Sequence, residues 1–181
     1  MTNVGKWDTH YRGMKEPHAY GSLATYAAAA EWVKGCNPIE DWGCGPGWLK
    51  TVLVDPSAYV GVDGSASPFA DRIVDLTTYR SVCEGLILRH VLEHNYDWAS
   101  ILDNALASFT RRLCIILFTP LSDATYTLKT EPDYEGAPVI SFRLEDILER
   151  ISCDVEQETV AGSAYGVETI LRCARDHDSI A

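Results

Sequence analysis

Apolar positions along the chain change their spacing in a regular order, and that order predicts strands and helices in alternation. Leu23, Tyr26, Ala27, Ala30 and Val33 stand at i, i+3, i+4, i+7 and i+10, one face of an amphipathic helix that Ser22 can cap and that ends near Gly35. Two short apolar runs, residues 39–42 and 58–63, read as the first two strands, with a helix from Pro46 to about Leu53 between them. Residues 72–76 read as a third strand, and Leu86 to Leu88 suit a fourth that is buried on both faces. Trp98, Ile101, Leu102, Ala105, Leu106 and Phe109 repeat at helical spacing, and the uninterrupted apolar run 113–118 supplies a fifth strand. Leu144, Ile147, Leu148 and Ile151 mark a last helix over 142–151, before two strands at 154–160 and 166–174 joined as a hairpin.

Two segments carry no period. Residues 1–20 hold Trp7, His10, Tyr11, Arg12, Lys15, His18 and Tyr20, interrupted by Gly5, Gly13 and Pro17, and read as a loop or lid. Residues 121–140, with Tyr126, Lys129, Asp133, Tyr134 and Glu135, form the largest irregular piece. That piece leaves the carboxyl end of a strand, where open α/β sheets place their ligands. Only 12 residues separate Asp63 from Asp75, too few for a full crossover helix, so this connection must be abbreviated.

Composition narrows the class. A chain of 181 residues with 46% hydrophobic and 23% charged positions fits one globular domain, here residues 21–176 behind the lid, with 177–181 as a tail. No run approaches the ~20 apolar residues of a membrane-spanning helix, and the first residues lack the apolar centre of a signal peptide, so the cytoplasm is the expected compartment. The six cysteines contain no C-x-x-C pair and sit mostly in apolar runs, which argues for free core thiols rather than zinc ligands or disulfides. A formal charge of −11 disfavours a nucleic-acid backbone as partner. Residues 1–34 nevertheless balance to +1, from four Lys or Arg against three Asp or Glu, which leaves room for an acid-binding patch near the amino terminus.

The chemistry concentrates in Asp41-Trp42-Gly43-Cys44-Gly45-Pro46-Gly47. Glycines at every second position allow positive φ and a close approach of backbone to ligand, and a helix starting just beyond would aim free N–H groups at an anion. A dinucleotide fingerprint, G-x-G-x-x-G, would require a third glycine at position 48, where this chain has Trp48. Asp63 follows Gly43 by 20 residues, the offset at which a carboxylate accepts the hydroxyls of a ribose, and it suits either kind of nucleoside cofactor.

The acid-x-Gly-x-Gly-x-Gly stretch resembles the first motif of the class I (Rossmann-like) S-adenosylmethionine-dependent methyltransferases, and Glu84-Gly85-Leu86-Ile87-Leu88-Arg89-His90-Val91-Leu92-Glu93-His94 resembles their fourth, with Glu84 where Asp is more usual. The resemblance spans roughly residues 22–174. It implies a doubly wound, mostly parallel seven-stranded α/β sheet ending in an antiparallel hairpin, with S-adenosylmethionine as cofactor and S-adenosylhomocysteine as product. It also implies a cofactor site. Asp41 would face the ammonium; Gly43, Cys44, Gly45 and Gly47 the methionine tail; Asp63 and Gly64 the ribose; Asp75 and Leu76 the adenine. Leu88, Arg89 and Tyr20 complete the set. His90, just past the fourth strand, is the candidate general base, whereas His94 one turn on is expected at the surface. Neither the Pro-Pro motif of amino-directed DNA methyltransferases nor a cysteine at the fourth strand's end is present, so a small-molecule acceptor is expected. The alternative is a cofactor-binding regulatory protein without transfer activity, for which the shortened 63–75 connection speaks.

Overall fold

The computed structural model describes residues 4–130, 137–162 and 164–175. Strands β1 (Ile39–Trp42), β2 (Tyr59–Asp63), β3 (Arg72–Ile73), β4 (Cys83–Arg89), β5 (Phe109–Leu117), β8 (Asp154–Ala161) and β9 (Val167–Ala174) form one seven-stranded sheet in the order β3-β2-β1-β4-β5-β9-β8. The first five run parallel, and β9 lies antiparallel between β5 and β8. This is the expected sheet with its closing hairpin.

Period-two alternation sorts the strand residues onto two covered faces. Leu86, Leu88, Leu113, Ile115 and Leu117 face helix α4 (Trp98–Ser108) through Ile101, Leu102 and Ala105, with Ile147 of α5 (Leu144–Leu148) in the same cluster. Ile39, Ile87, Cys114, Ile116 and Ile170 face the other side, under Tyr26, Ala29 and Ala30 of α2 (Leu23–Trp32) and Val33 just past its end. Both faces being covered explains why β4 and β5 read as continuous apolar runs. The buried stripe of α2 is rotated from the expected one. Thr25 and Ala29 replace Leu23 and Ala27, which lie in solvent, because Thr25 bonds inward to a buried acid. All six cysteines are free, and five are buried.

Four expectations about the elements are corrected. Residues 4–11 form a helix, α1 (Val4–Tyr11), despite Gly5; eight residues are too few to hold a helix alone, and this one is pinned by Asp8, which accepts from Ala66 N–H at 2.6 Å, and by the burial of Tyr11. The helix after β1 shrinks to α3 (Leu49–Val52), because Gly43, Gly45 and Gly47 all take positive φ and hold the chain out of helical geometry until then. The third strand is two residues rather than five. Within 121–140, β6 (Tyr126–Thr130) pairs antiparallel with β7 (Pro138–Ser141), and its sequence, with Tyr126 and Thr127 exposed, holds no apolar run to mark it. Asp133, Tyr134, Glu135 and the tail 177–181 lie outside the described residues. No helix spans 64–71, as the short connection required.

Candidate active site

A cavity of about 1130 Å³ opens at the carboxyl ends of β1, β2, β4 and β5, where strand order reverses between β1 and β4. Its floor is the glycine turn. Gly43, Gly45 and Gly47 have φ of 74°, 49° and 70°, and each is closely covered: a Cβ on Gly43 would collide with Val91, one on Gly45 would lie 2.8 Å from the Tyr11 hydroxyl, and one on Gly47 would lie 2.6 Å from Phe69 Cβ. Gly43 and Pro46 line the cavity directly; Cys44, Gly45 and Gly47 are not part of its lining.

The turn is not an anion nest. Gly43 and Cys44 both donate their N–H to Val62 O, at 2.7 and 3.1 Å, Gly47 N–H donates to Cys44 O, and Gly45 N–H donates to Asp63 Oδ2 at 2.8 Å. These donors are already used, and the four-residue α3 adds little dipole. The N–H groups of the turn itself are therefore taken, and any anion site would rest on the short α3 alone. The lining agrees with that. Among the described residues it contains Asp63, Asp75 and Asp97 but neither Lys nor Arg, so the cavity favours neutral or cationic ligands over a pyrophosphate. Among the described residues no Lys or Arg of the amino-terminal segment joins this lining; Lys6 is buried with Nζ 4.0 Å over the Trp7 ring.

The expected cofactor residues divide in two. Gly43, Asp63, Gly64, Asp75, Leu76, Tyr20 and His90 are brought together on the cavity wall. Asp63 is held rigidly, its Oδ1 accepting from Ser65 N–H and Oγ–H at 2.8 and 2.6 Å. Asp75 accepts from Thr77 in the turn after β3. Asp41, Cys44, Gly45, Gly47, Leu88 and Arg89 are not on that wall. Asp41 lies behind the turn, accepting from Tyr59 Oη–H at 3.0 Å; burial, with Asp63 nearby, pushes its pKa up to about 7 against the opposing Tyr59 bond and Arg89 charge. Leu88 points into the α4-side core. Arg89 is turned under α2, its guanidinium 3.8 Å from the Tyr26 ring centroid and donating to Tyr20 O at 2.8 Å.

The other half of the cavity is aromatic. Rings follow one another from Tyr20 to His90 (5.5 Å between centroids), His90 to Phe118 (4.9 Å), Phe118 to His94 (5.1 Å) and His94 to Trp7 (5.1 Å), with Tyr165 against Phe118 at 6.0 Å. His94 was expected at the surface; instead the short 3-10 turn 92–94 swings it inward, with Nδ1 3.0 Å from Pro138 O. Phe118, Tyr165 and Val91 were missed because neighbours in this wall come from three distant loops. His90 itself has φ 57°, rare for a residue with a Cβ, and burial, helped by Arg89, lowers its pKa to about 4 despite the adjacent Glu168.

Glu168 and Glu93 were also missed. Both are completely buried, and Glu93 lies inside the fourth-motif stretch, where its Oε1 accepts from Phe118 N–H at 2.5 Å and ties the end of β5 to the turn after β4. An acid in an apolar strand is the only sequence signal for Glu168.

No protein-family model and no curated protein sequence matches the chain, but solved structures do. A 1,6-didemethyltoxoflavin-N1-methyltransferase of Burkholderia thailandensis, solved with its didemethyltoxoflavin ligand and S-adenosylhomocysteine, is similar at 12% identity and a TM-score of 0.67, over 83% of this chain and 76% of that one. The magnesium protoporphyrin IX methyltransferase ChlM of Synechocystis PCC 6803, with bound S-adenosylhomocysteine, gives 14% identity and a TM-score of 0.56 over 95% and 94%. The cyclase SpnF gives 11% and 0.60 over 84% and 80%. Strand order, glycine turn and these likenesses together show that the chain has the fold of the class I S-adenosylmethionine-dependent methyltransferases.

Proposed function

We propose that the protein is an S-adenosylmethionine-dependent methyltransferase acting on a small molecule. The observation that carries this reading is the division of one cavity into an acid-lined half, at Asp63 and Asp75, and an aromatic half, at Trp7, His94, Phe118 and Tyr165, with His90 at their junction. A sulfonium cofactor is cationic at the reacting centre. Carboxylates and aromatic faces favour it, whereas the saturated N–H groups of the glycine turn offer a pyrophosphate little. The volume exceeds the roughly 300–1,000 Å³ of ordinary ligand pockets, so cofactor and acceptor fit together. Methyl transfer is an in-line displacement, and alignment of the acceptor is the protein's main task. The described lining offers no cationic side chain for an acidic acceptor, and its rings suit a flat, uncharged one.

The residues fit the cofactor. Asp63 would take the ribose hydroxyls, Asp75 and the Leu76 backbone the adenine, and Gly43 the amino-acid tail; Asp41, held near neutral pH at its titration point, would gain its charge when an ammonium approaches. Bound S-adenosylmethionine supplies an activated methyl group. Free thiols fit a reducing cytoplasm. Residues 1–20, through α1 over the turn, would act as a lid that excludes water.

Titration calorimetry tests the reading. S-adenosylhomocysteine should bind and NAD should not, and Asp63→Ala should weaken binding by about tenfold or more, since hydrogen bonds to a charged group contribute roughly 1.5–3 kcal/mol. Tight NAD binding with no S-adenosylhomocysteine binding would reverse the assignment. The second reading, a cofactor-fold protein without transfer, is favoured by the missing helix between β2 and β3 and has a precedent in a cyclase of this fold. Release of S-adenosylhomocysteine during incubation with cell extract separates the two.

A further inference from the structure

Glu168 is the second residue of β9, fully buried, with both carboxylate oxygens engaged. Oε1 accepts from Ser22 N–H at 2.7 Å, and Oε2 accepts from Thr25 Oγ–H at 2.7 Å. Arg89 Nη2 lies 3.5 Å from Oε2, and His90 Nε2 lies 3.2 Å from the same oxygen. Burial alone would raise the pKa of this acid, but the contacts from His90, Thr25 and Ser22 outweigh it and hold the group below the usual carboxylate range. An ionised carboxylate has no proton to give. The imidazole nitrogen 3.2 Å away lies off the line of a full hydrogen bond, so the pairing is electrostatic: the carboxylate disfavours a lone pair on that nitrogen and favours the N–H there.

The ring has no freedom to answer otherwise. His90 is locked by its left-handed backbone, by its N–H donating to Ile116 O at 2.9 Å, and by Tyr20 and Phe118 on either side. Its side chain is 6% exposed, with Nε2 inside, and it lines the cavity. With the proton on Nε2, the lone pair resides on Nδ1, which takes no hydrogen bond from any described residue. The charged and titratable groups around the ring are Glu168 from β9, Arg89 from β4, Tyr20 ahead of α2, and Glu93 from the following turn, near Arg89 and Glu168.

We propose that Glu168 is a positioning residue that fixes His90 as the Nε2–H tautomer, so that Nδ1 takes the proton from an acceptor whose attacking atom is an O–H or N–H. The proposal rests on the methyl-transfer reading for its chemistry, though not for its geometry. In the step, a lone pair of the acceptor heteroatom forms the bond to the methyl carbon while the carbon–sulfur pair returns to sulfur, leaving a neutral thioether. The heteroatom keeps the electrons of its O–H or N–H bond, and the proton passes to Nδ1. A weak base suffices for a hydroxyl or for an electron-poor, conjugated N–H, because that proton becomes more acidic than an imidazolium once the new bond forms. The imidazolium then faces Glu168 until it loses its proton to water on product release.

The test is the long-range nitrogen–proton NMR spectrum of the His90 imidazole in the full chain, free and with S-adenosylhomocysteine. The expected result is the Nε2–H tautomer at neutral pH, and in Glu168→Gln a mixture of tautomers with the imidazole pKa lower by about one unit or more, since an opposite charge has been removed. A purely structural Glu168 would lower thermal stability and leave tautomer and pKa unmoved. An Nδ1–H tautomer in the wild type overturns the proposal without any variant having to fold. Absence of S-adenosylhomocysteine binding sinks the methyl-transfer reading while leaving the tautomer result standing. Labelled methyl found on oxygen or nitrogen that has lost a proton supports the acceptor class; a quaternary ammonium or sulfonium product refutes it.

Discussion

Replacing Glu93 by Gln should change stability by an amount that moves in the variant's favour as pH rises, in a defined way. The carboxyl group is fully buried, one oxygen accepting from Phe118 N–H and the other without a partner among the described residues, and burial raises its pKa from 4.5 to about 8. A raised folded-state value means that the native state holds its proton more tightly than the unfolded chain. The stability this gives is fully present below 4.5 and is lost as pH rises toward 8. Each unit corresponds to about 1.4 kcal/mol, so the two and a half units between 4.5 and pH 7 remove roughly 3 kcal/mol, and above pH 8 the loss levels off near roughly 5 kcal/mol. Glutamine keeps the shape and the acceptor for Phe118 and has nothing to ionise. Its amide adds an unpaired donor at a cost of about 1–3 kcal/mol that does not vary with pH. The diagnostic is therefore the slope. Urea-unfolding midpoints of wild type and Glu93→Gln, taken at pH 4, 7 and 9, should diverge in favour of the variant as pH rises. Parallel curves, or a variant that loses ground with pH, would show that Glu93 is an ionised partner in the native state and that the account of its burial is wrong.

Three further outcomes are expected. Gly45→Ala should cost about 1–2 kcal/mol for a left-handed Cβ plus a clash with the Tyr11 hydroxyl, and adding Tyr11→Phe should recover the clash part only; urea unfolding of the single and double variants measures both. Arg89→Met should cost about 3–5 kcal/mol by leaving Glu168 charged and poorly compensated in the core, with Arg89→Met/Glu168→Leu recovering most of it in thermal melts. Deletion of residues 1–20 should leave the domain folded while weakening S-adenosylhomocysteine affinity by about tenfold or more, measured by calorimetry; loss of the cooperative melt would make α1 part of the core rather than a lid.

The sheet and the glycine turn were legible in the chain because both are local. Strands buried on two faces are continuous apolar runs, as at Leu86–Leu88 and 113–117, and α4 announces itself by a period that needs no partner. The turn needs three glycines because their φ values are positive, a demand a sequence records directly. What the tertiary structure decided is everything that depends on a neighbour far along the chain. Asp41 is behind the turn because Tyr59 takes it there, and Arg89 faces away from the cavity because Glu168 and two tyrosines hold it. His94 turns inward because Pro138 and Trp7 meet it, although helical spacing from His90 put it outside. Helix α1 exists because Ala66 and the glycine turn anchor eight residues that could not fold alone. Glu168, 78 positions from His90 in sequence and 3.2 Å away in space, lies beyond any periodicity, since a buried charge is specified by its partners and not by its own spacing.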